Sequence, residues 1–122
     1  MKHEGAEPRA AKGPSFISDE EADAALHYLI STAAKVGKAL EARLYAEHML
    51  KHYAAIEFIK HSGSAGEREA KARASEKYKE AALEAAIAAG EHQKLLAARD
   101  AAQTRIDMWR TQQSSIRAAA RM

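Results

Sequence analysis

The sequence predicts an all-α fold: a coiled-coil-like helical hairpin in which a short N-terminal helix and a medium helix pack antiparallel on a very long C-terminal helix. Three observations point there. About a quarter of the 122 residues are Ala, the strongest helix former and small enough to let helix axes approach closely. The only two prolines, Pro8 and Pro14, precede the first amphipathic segment, so the rest of the chain lacks its strongest helix breaker. Beyond Phe16, apolar residues recur in the steps of three and four that line one face of a helix.

Taken in order, Met1 to Pro14 mix Gly, Pro, Lys, Arg and Glu without apolar periodicity and read as a disordered tail, ending at residue 17. Residues 18–122 read as a single helical domain. Ser18 can cap the free amides of a helix start while Glu21 reaches back to the Ser18 amide. A first helix is predicted from Asp19, with Ala22, Leu26, Leu29, Ile30 and Ala33 on one face. Gly37 marks a break near residues 34–37, although one Gly costs only about 1 kcal/mol in a helix interior.

The second helix runs from Lys38 to His61 and carries Leu40, Leu44, Met49, Leu50, Tyr53, Ile56, Phe58 and Ile59. His61-Ser62-Gly63 is its stop signal, with Gly63 as the left-handed cap. Ser64-Ala65-Gly66-Glu67 repeats the capping-box pattern, and the pairs Glu67 with Lys71 and Glu69 with Arg73 stand four residues apart in the favourable order.

From Glu76 to about Arg121 only Gly90 interrupts a helical pattern. Its stripe is Tyr78, Ala81, Ala85, Ala88, His92, Leu95, Arg99, Ala102, Ile106, Trp109, Gln113 and Ile116, of which Leu95, Ala102, Ile106 and Ile116 are the predicted interface residues. A helix over residues 76–121 spans about 70 Å, against about 36 Å for the second helix. The distal half therefore needs a cover from the first helix or from a second subunit, which makes a homodimer an expected partner.

Composition removes several function classes. With no Cys there are no disulfides, thiolate zinc sites or thiol nucleophiles. A formal charge of +2 is too small to imply nucleic acid by itself, so any basic surface must come from clustering. No apolar run reaches the roughly 18 residues of a membrane span, and no signal-peptide core is visible, so the expectation is a cytoplasmic protein without a membrane partner.

A resemblance adds context. Ala65-Gly66-Glu67-Arg68-Glu69-Ala70, Ala74-Ser75-Glu76-Lys77-Tyr78, Leu96-Ala97-Ala98-Arg99-Asp100-Ala101-Ala102 and Met108-Trp109-Arg110-Thr111-Gln112-Gln113-Ser114-Ser115 resemble small Ala-rich helical proteins of tailed bacteriophages, often encoded near single-strand annealing and recombination genes. The likeness covers Gly63 to Arg121, about half the chain. It implies a phage protein in the bacterial host cell, expressed near DNA metabolism, and it carries over no activity, cofactor or site residue.

The most suggestive chemistry is basic. Arg105, Trp109, Arg110, Arg117 and Arg121 accompany Gln112, Gln113, Ser114 and Ser115 in a segment with no acidic side chain after Asp107. Guanidinium groups pair with phosphates, an exposed Trp stacks on an unpaired base, and Gln or Ser can reach backbone or base edges, so single-stranded DNA is a candidate ligand beside a protein partner. The competing reading puts Trp109 on the core stripe with Ile106 and Ile116, and makes the final arginines complements of the helix dipole.

Other constellations are weaker. His48 and His52 share a helix face near Glu41 and Glu47, but Met49 stands where a zinc protease has its Glu, and no metal or cofactor is expected. His92 and Arg99 read as register-setting polar residues in a helical interface. Ser62-Gly63-Ser64-Ala65-Gly66 lacks the ending of a phosphate loop, and Glu80 with Glu84 lacks the apolar cleft that would raise one pKa. No catalytic residue is expected. The sequence thus points to a non-enzymatic phage accessory protein of DNA recombination or replication that docks on a partner protein or DNA. The alternative is a phage inhibitor that blocks the surface of a host defence system or host enzyme.

Overall fold

A computed structural model describes residues 16–122, so residues 1–15 of the predicted tail lie outside the described residues. The fold is an all-α helical hairpin built from α1 (Asp19–Lys60), α2 (Ala65–Arg73) and α3 (Glu76–Ala120).

The predicted helix signals act where the sequence places them. The Ser18 amide donates to Glu21 Oε1 at 2.9 Å and the Glu21 amide donates to Ser18 Oγ at 3.0 Å, closing the first capping box. Gly63 takes φ 114°, the left-handed region that stops a helix. Ser64 then caps α2, again with both halves of the box formed. Ser75 separates α2 from α3: its hydroxyl donates to the Ala72 carbonyl at 2.7 Å and accepts from the Tyr78 amide at 3.2 Å. Glu69 meets Arg73 at 3.7 Å, whereas the Glu67 carboxylate turns back to the Ser64 amide.

The expected break near Gly37 does not occur. α1 is one helix of 42 residues, close to the 45 of α3, so the two span about 63 and about 68 Å. Gly37 is solvent-exposed, while Val36 and Ala39 on either side are half-buried, and their packing outweighs the roughly 1 kcal/mol cost of the glycine. The length mismatch from which a second subunit was expected is therefore absent. Gly90 lies within α3 without interrupting it.

The residues group into two compact units. The first joins the segment up to Thr32 with Ala98–Met122. Here α1 turns Ala22, Ala25, Leu29 and Thr32 inward, and α3 does the same with Arg99, Ala102, Ile106, Trp109 and Gln113, all buried or half-buried. Ala25, Ala102 and Ile106 form the core, with Tyr28 and Leu29 packed against it. Arg99 bonds to Thr32 and Trp109 to Asp19, so α3 ascends as α1 descends. The first helix thus supplies the cover that the distal half of α3 requires.

The second unit comprises Ala33–Ala97. Its α1 seam is Val36, Ala39, Arg43, Ala46, Leu50, Tyr53 and Glu57; its α3 seam is Tyr78, Ala81, Ala85, Ala88, His92 and Leu95. Buried Ala72 brings α2 into the same unit. Arg68 of α2 lies over the Phe58 ring at 4.2 Å and its Nε donates to the Phe58 carbonyl at 3.3 Å. Both seams alternate steps of three and four, the knobs-into-holes repeat, and their many alanines allow close helix approach.

That choice of seam corrects the predicted faces of α1. Leu26, Ile30, Leu40, Leu44 and Ile59, expected inside, are exposed. The apolar arc of α1 is wider than one seam, and the smaller side chains occupy the contact because they let the backbones come closer. Among the described residues, no helix is long and apolar enough to cross a membrane.

Candidate nucleic-acid interface

Arg105, Arg110 and Arg117 belong to the distal part of α3, in the first unit, and Arg121 follows its last residue, with its amide still bonded to the Arg117 carbonyl at 3.3 Å. At 100° per residue, Arg110, Arg117 and Arg121 fall within a narrow arc of one face. All three are exposed. Arg105, also exposed, lies about 140° from Arg110 around the helix and stands apart from that row. Arg110 approaches Asp107 at 3.7 Å with both side chains largely in solvent, a contact too screened to hold the guanidinium. Among the described residues, no carboxylate lies within ion-pair distance of Arg105, Arg117 or Arg121. Arg110, Thr111, Ser114, Ser115 and Ala118 line a shallow, open depression, which sets one guanidinium beside three hydroxyl groups.

Trp109 sits elsewhere on the helix. It is half-buried, with its indole N–H donating to Asp19 Oδ1 at 2.8 Å. Together with Ala22, Leu26, Ile106, Arg110, Asp19 and Asp23 it lines a groove of about 320 Å³ between α1 and α3. Part of its ring is thus committed to packing, and its polar atom is used. Gln112 is likewise engaged: its Oε1 accepts from the Ile17 amide at 2.6 Å and its Nε2 donates to the Ile17 carbonyl at 2.9 Å. Of the predicted interface residues, Ala102 and Ile106 are buried, Leu95 is half-buried, and Ile116 is exposed.

The polar seam residues find partners the sequence did not disclose. Arg99 donates through Nη1 to the Leu29 carbonyl at 2.7 Å and to Thr32 Oγ1 at 2.5 Å, while Thr32 donates to the Tyr28 carbonyl at 2.7 Å. Buried His92 meets Arg43 Nη1 at 3.3 Å through Nδ1. A guanidinium carries only donors, so Nδ1 is the accepting atom of this contact. Buried Glu57 pairs with Lys60 at 2.9 Å. A three-four reading of α1 through Ala22 and Ala25 would have put Thr32, Arg43 and Glu57 on the seam.

The remaining candidates stay isolated. His48 and His52 are both exposed, and no group of three or more His, Cys, Asp or Glu residues suited to a metal occurs among the described residues. At the Ser62–Gly66 turn the Ser64 amide is occupied by the chain's own Glu67 carboxylate. The Ser64 backbone N–H first, and the Ser64 side chain second, hold that carboxyl below its ordinary pKa. Glu80 and Glu84 are exposed. In the second unit, Leu50, Ala54, Phe58, Ala72 and Tyr78, with Lys51, Glu69 and Arg73, line a cavity of about 370 Å³ that sequence periodicity could not reveal, because it depends on where α2 docks. Comparison with protein-family models, curated proteins and solved structures gives no match for this chain.

Proposed function

We propose that the chain is a non-enzymatic accessory protein of DNA recombination or replication in a tailed bacteriophage, acting by docking a helical surface on DNA or on a partner protein. The observation that carries this reading is the row formed by Arg110 and Arg117 on one exposed face of α3 and continued by Arg121 just past its end, in a segment without an acidic side chain after Asp107. Three guanidinium groups on one face match a phosphate backbone, and Ser114 and Ser115 beside Arg110 add hydroxyl donors. Because Trp109 is bonded to Asp19, phosphate contact rather than base stacking dominates the proposed mode, which predicts weak sequence preference.

The test is binding of a labelled single-stranded oligonucleotide to the full chain and to an Arg110→Ala, Arg117→Ala double variant in low salt. The expected result is a dissociation constant on the order of 10⁻⁴–10⁻⁶ M for the wild type, weakened at least tenfold in the variant. Absence of binding by the wild type, or equal binding by both, removes the DNA reading.

A second reading, surface blockade of a host enzyme or defence complex, is favoured by Leu83 and Ile87. They stand four residues apart on α3 in the second unit, both exposed, and could serve as anchors for a protein partner. Capture from infected cells separates the two readings. A phage annealing protein or nuclease supports the first, and a host defence complex supports the second.

A further inference from the structure

We infer that the cavity of about 370 Å³ in the second unit binds a small apolar carboxylate, an acid with a compact hydrocarbon or aromatic body. Its walls come from three helices within that unit: Leu50, Ala54 and Phe58 at steps of four along α1, Ala72 of α2, and Tyr78 of α3. The hollow follows from side-chain size. Ala54 falls between two large residues on its own helix face, and the buried residue that α2 brings to the same cavity is another alanine, so Leu50, Phe58 and Tyr78 frame a space that neither alanine fills. This volume and this apolar lining are those of a small-molecule site, which holds an apolar body by burial and orients it through a few polar groups.

The charged groups at the cavity set the sign of the ligand. Lys51 and Arg73 line it with one carboxylate, Glu69, so two cations stand against one anion. Arg73 approaches Glu69 at 3.7 Å with the two side chains 66% and 64% exposed, a screened contact that leaves the guanidinium open to a further acceptor. Among the described residues, no carboxylate lies within ion-pair distance of Lys51. The nearby acids do not supply one: Glu47, one turn before Lys51, is bonded to Arg43 at 3.1 Å, Glu57 is bonded to Lys60 at 2.9 Å, and Glu76 lies outside the lining. A monoanion therefore balances the lining, whereas a cation meets an excess of like charge. A carboxylate also suits the donors, because an ammonium and a planar guanidinium both donate to its oxygens. The Lys51 side chain is exposed, so its apolar stem can lie against the ligand body while its ammonium meets the acid.

The cavity shares no residue with the arginine row or with Leu83 and Ile87, so this proposal can fail independently of both readings of function. The test titrates the full chain with cinnamate, with its neutral isostere cinnamamide and with the cation cinnamylamine, following backbone amide shifts by nuclear magnetic resonance. For cinnamate the expected result is saturable shifts at Leu50, Phe58, Ala72 and Tyr78, with a dissociation constant on the order of 10⁻³ M, the strength a ligand of this size reaches. Cinnamamide should bind at least about threefold more weakly, and cinnamylamine more weakly still. Lys51→Met keeps an apolar stem and removes the charge at an exposed position, so the fold should be unchanged while most of the preference for cinnamate over cinnamamide is lost. Ala54→Leu fills the hollow and should weaken all three probes together. Absence of saturable shifts at these residues, or equal binding of the three probes, overturns the proposal. A Lys51→Met variant that keeps the full preference for cinnamate, or a folded Ala54→Leu variant that binds it as the wild type does, overturns it as well.

Discussion

Arg99 shows how a polar side chain can hold a thin core. The first unit buries mainly alanines, and an Ala side chain contributes little apolar area, so satisfied polar contacts carry a larger share of specificity than in a Leu-rich seam. Replacing Arg99 by Ala strips the guanidinium from the Leu29 carbonyl and from Thr32, itself buried. The expected cost is about 1–3 kcal/mol, read as a lower urea midpoint at constant slope. An unchanged midpoint would show that water replaces the arginine at no cost. Glu67 provides a pH-dependent contact. Its carboxyl is held below the ordinary value by Ser64, so the stabilisation is present above the ordinary glutamate pKa and is lost as pH falls through the depressed one. The Ser64 amide should therefore lose its protection from exchange on acidification, and Glu67→Gln should abolish that pH dependence. His92 and Arg99 were legible in the sequence as polar members of a helical seam. Arg43 and Thr32 as their partners were not, because pairing depends on the register between helices and one helix's periodicity carries no information about that register.

At the scale of elements, helix ends were the most readable feature. Ser18 with Glu21, Gly63, and Ser64 with Glu67 are local devices that act through hydrogen bonds three residues apart, and each forms as the sequence implies. Two features depended on competition and could not be read locally. One was continuity through Gly37, decided by packing on either side. The other was which of two apolar faces of α1 turns inward, decided by the closer approach that alanines permit. These glycines separate cleanly by substitution. Gly37→Ala should raise stability by up to about 1 kcal/mol, since the position is helical and its surroundings are open. Gly63→Ala should lower it by about 1 kcal/mol or more, because φ is 114° and the new Cβ would lie 2.7 Å from Glu67 Oε1. Thermal denaturation of both variants checks the pair; the same sign for both would contradict the assignment of Gly63 as the left-handed stop.

For the whole molecule, a formal charge of +2 conceals an uneven distribution, because every charged side chain after Asp107 is an arginine. The proposed function rests on that asymmetry, and its signature is thermodynamic. A protein that neutralises phosphates releases counterions, so its affinity falls with salt in proportion to the number of contacts. The candidate interface was legible in the sequence as a basic end. Its division into a row of Arg110, Arg117 and Arg121, with Arg105 on another face and Trp109 bonded to Asp19, required the helix and its partner. The most direct test is the slope of log affinity against log salt for single-stranded DNA, measured by fluorescence anisotropy. Three phosphate contacts predict a slope of about −2 for the wild type, reduced to about −0.7 in the Arg110→Ala, Arg117→Ala variant. A flat salt dependence, or a slope unchanged by the two substitutions, would contradict the account.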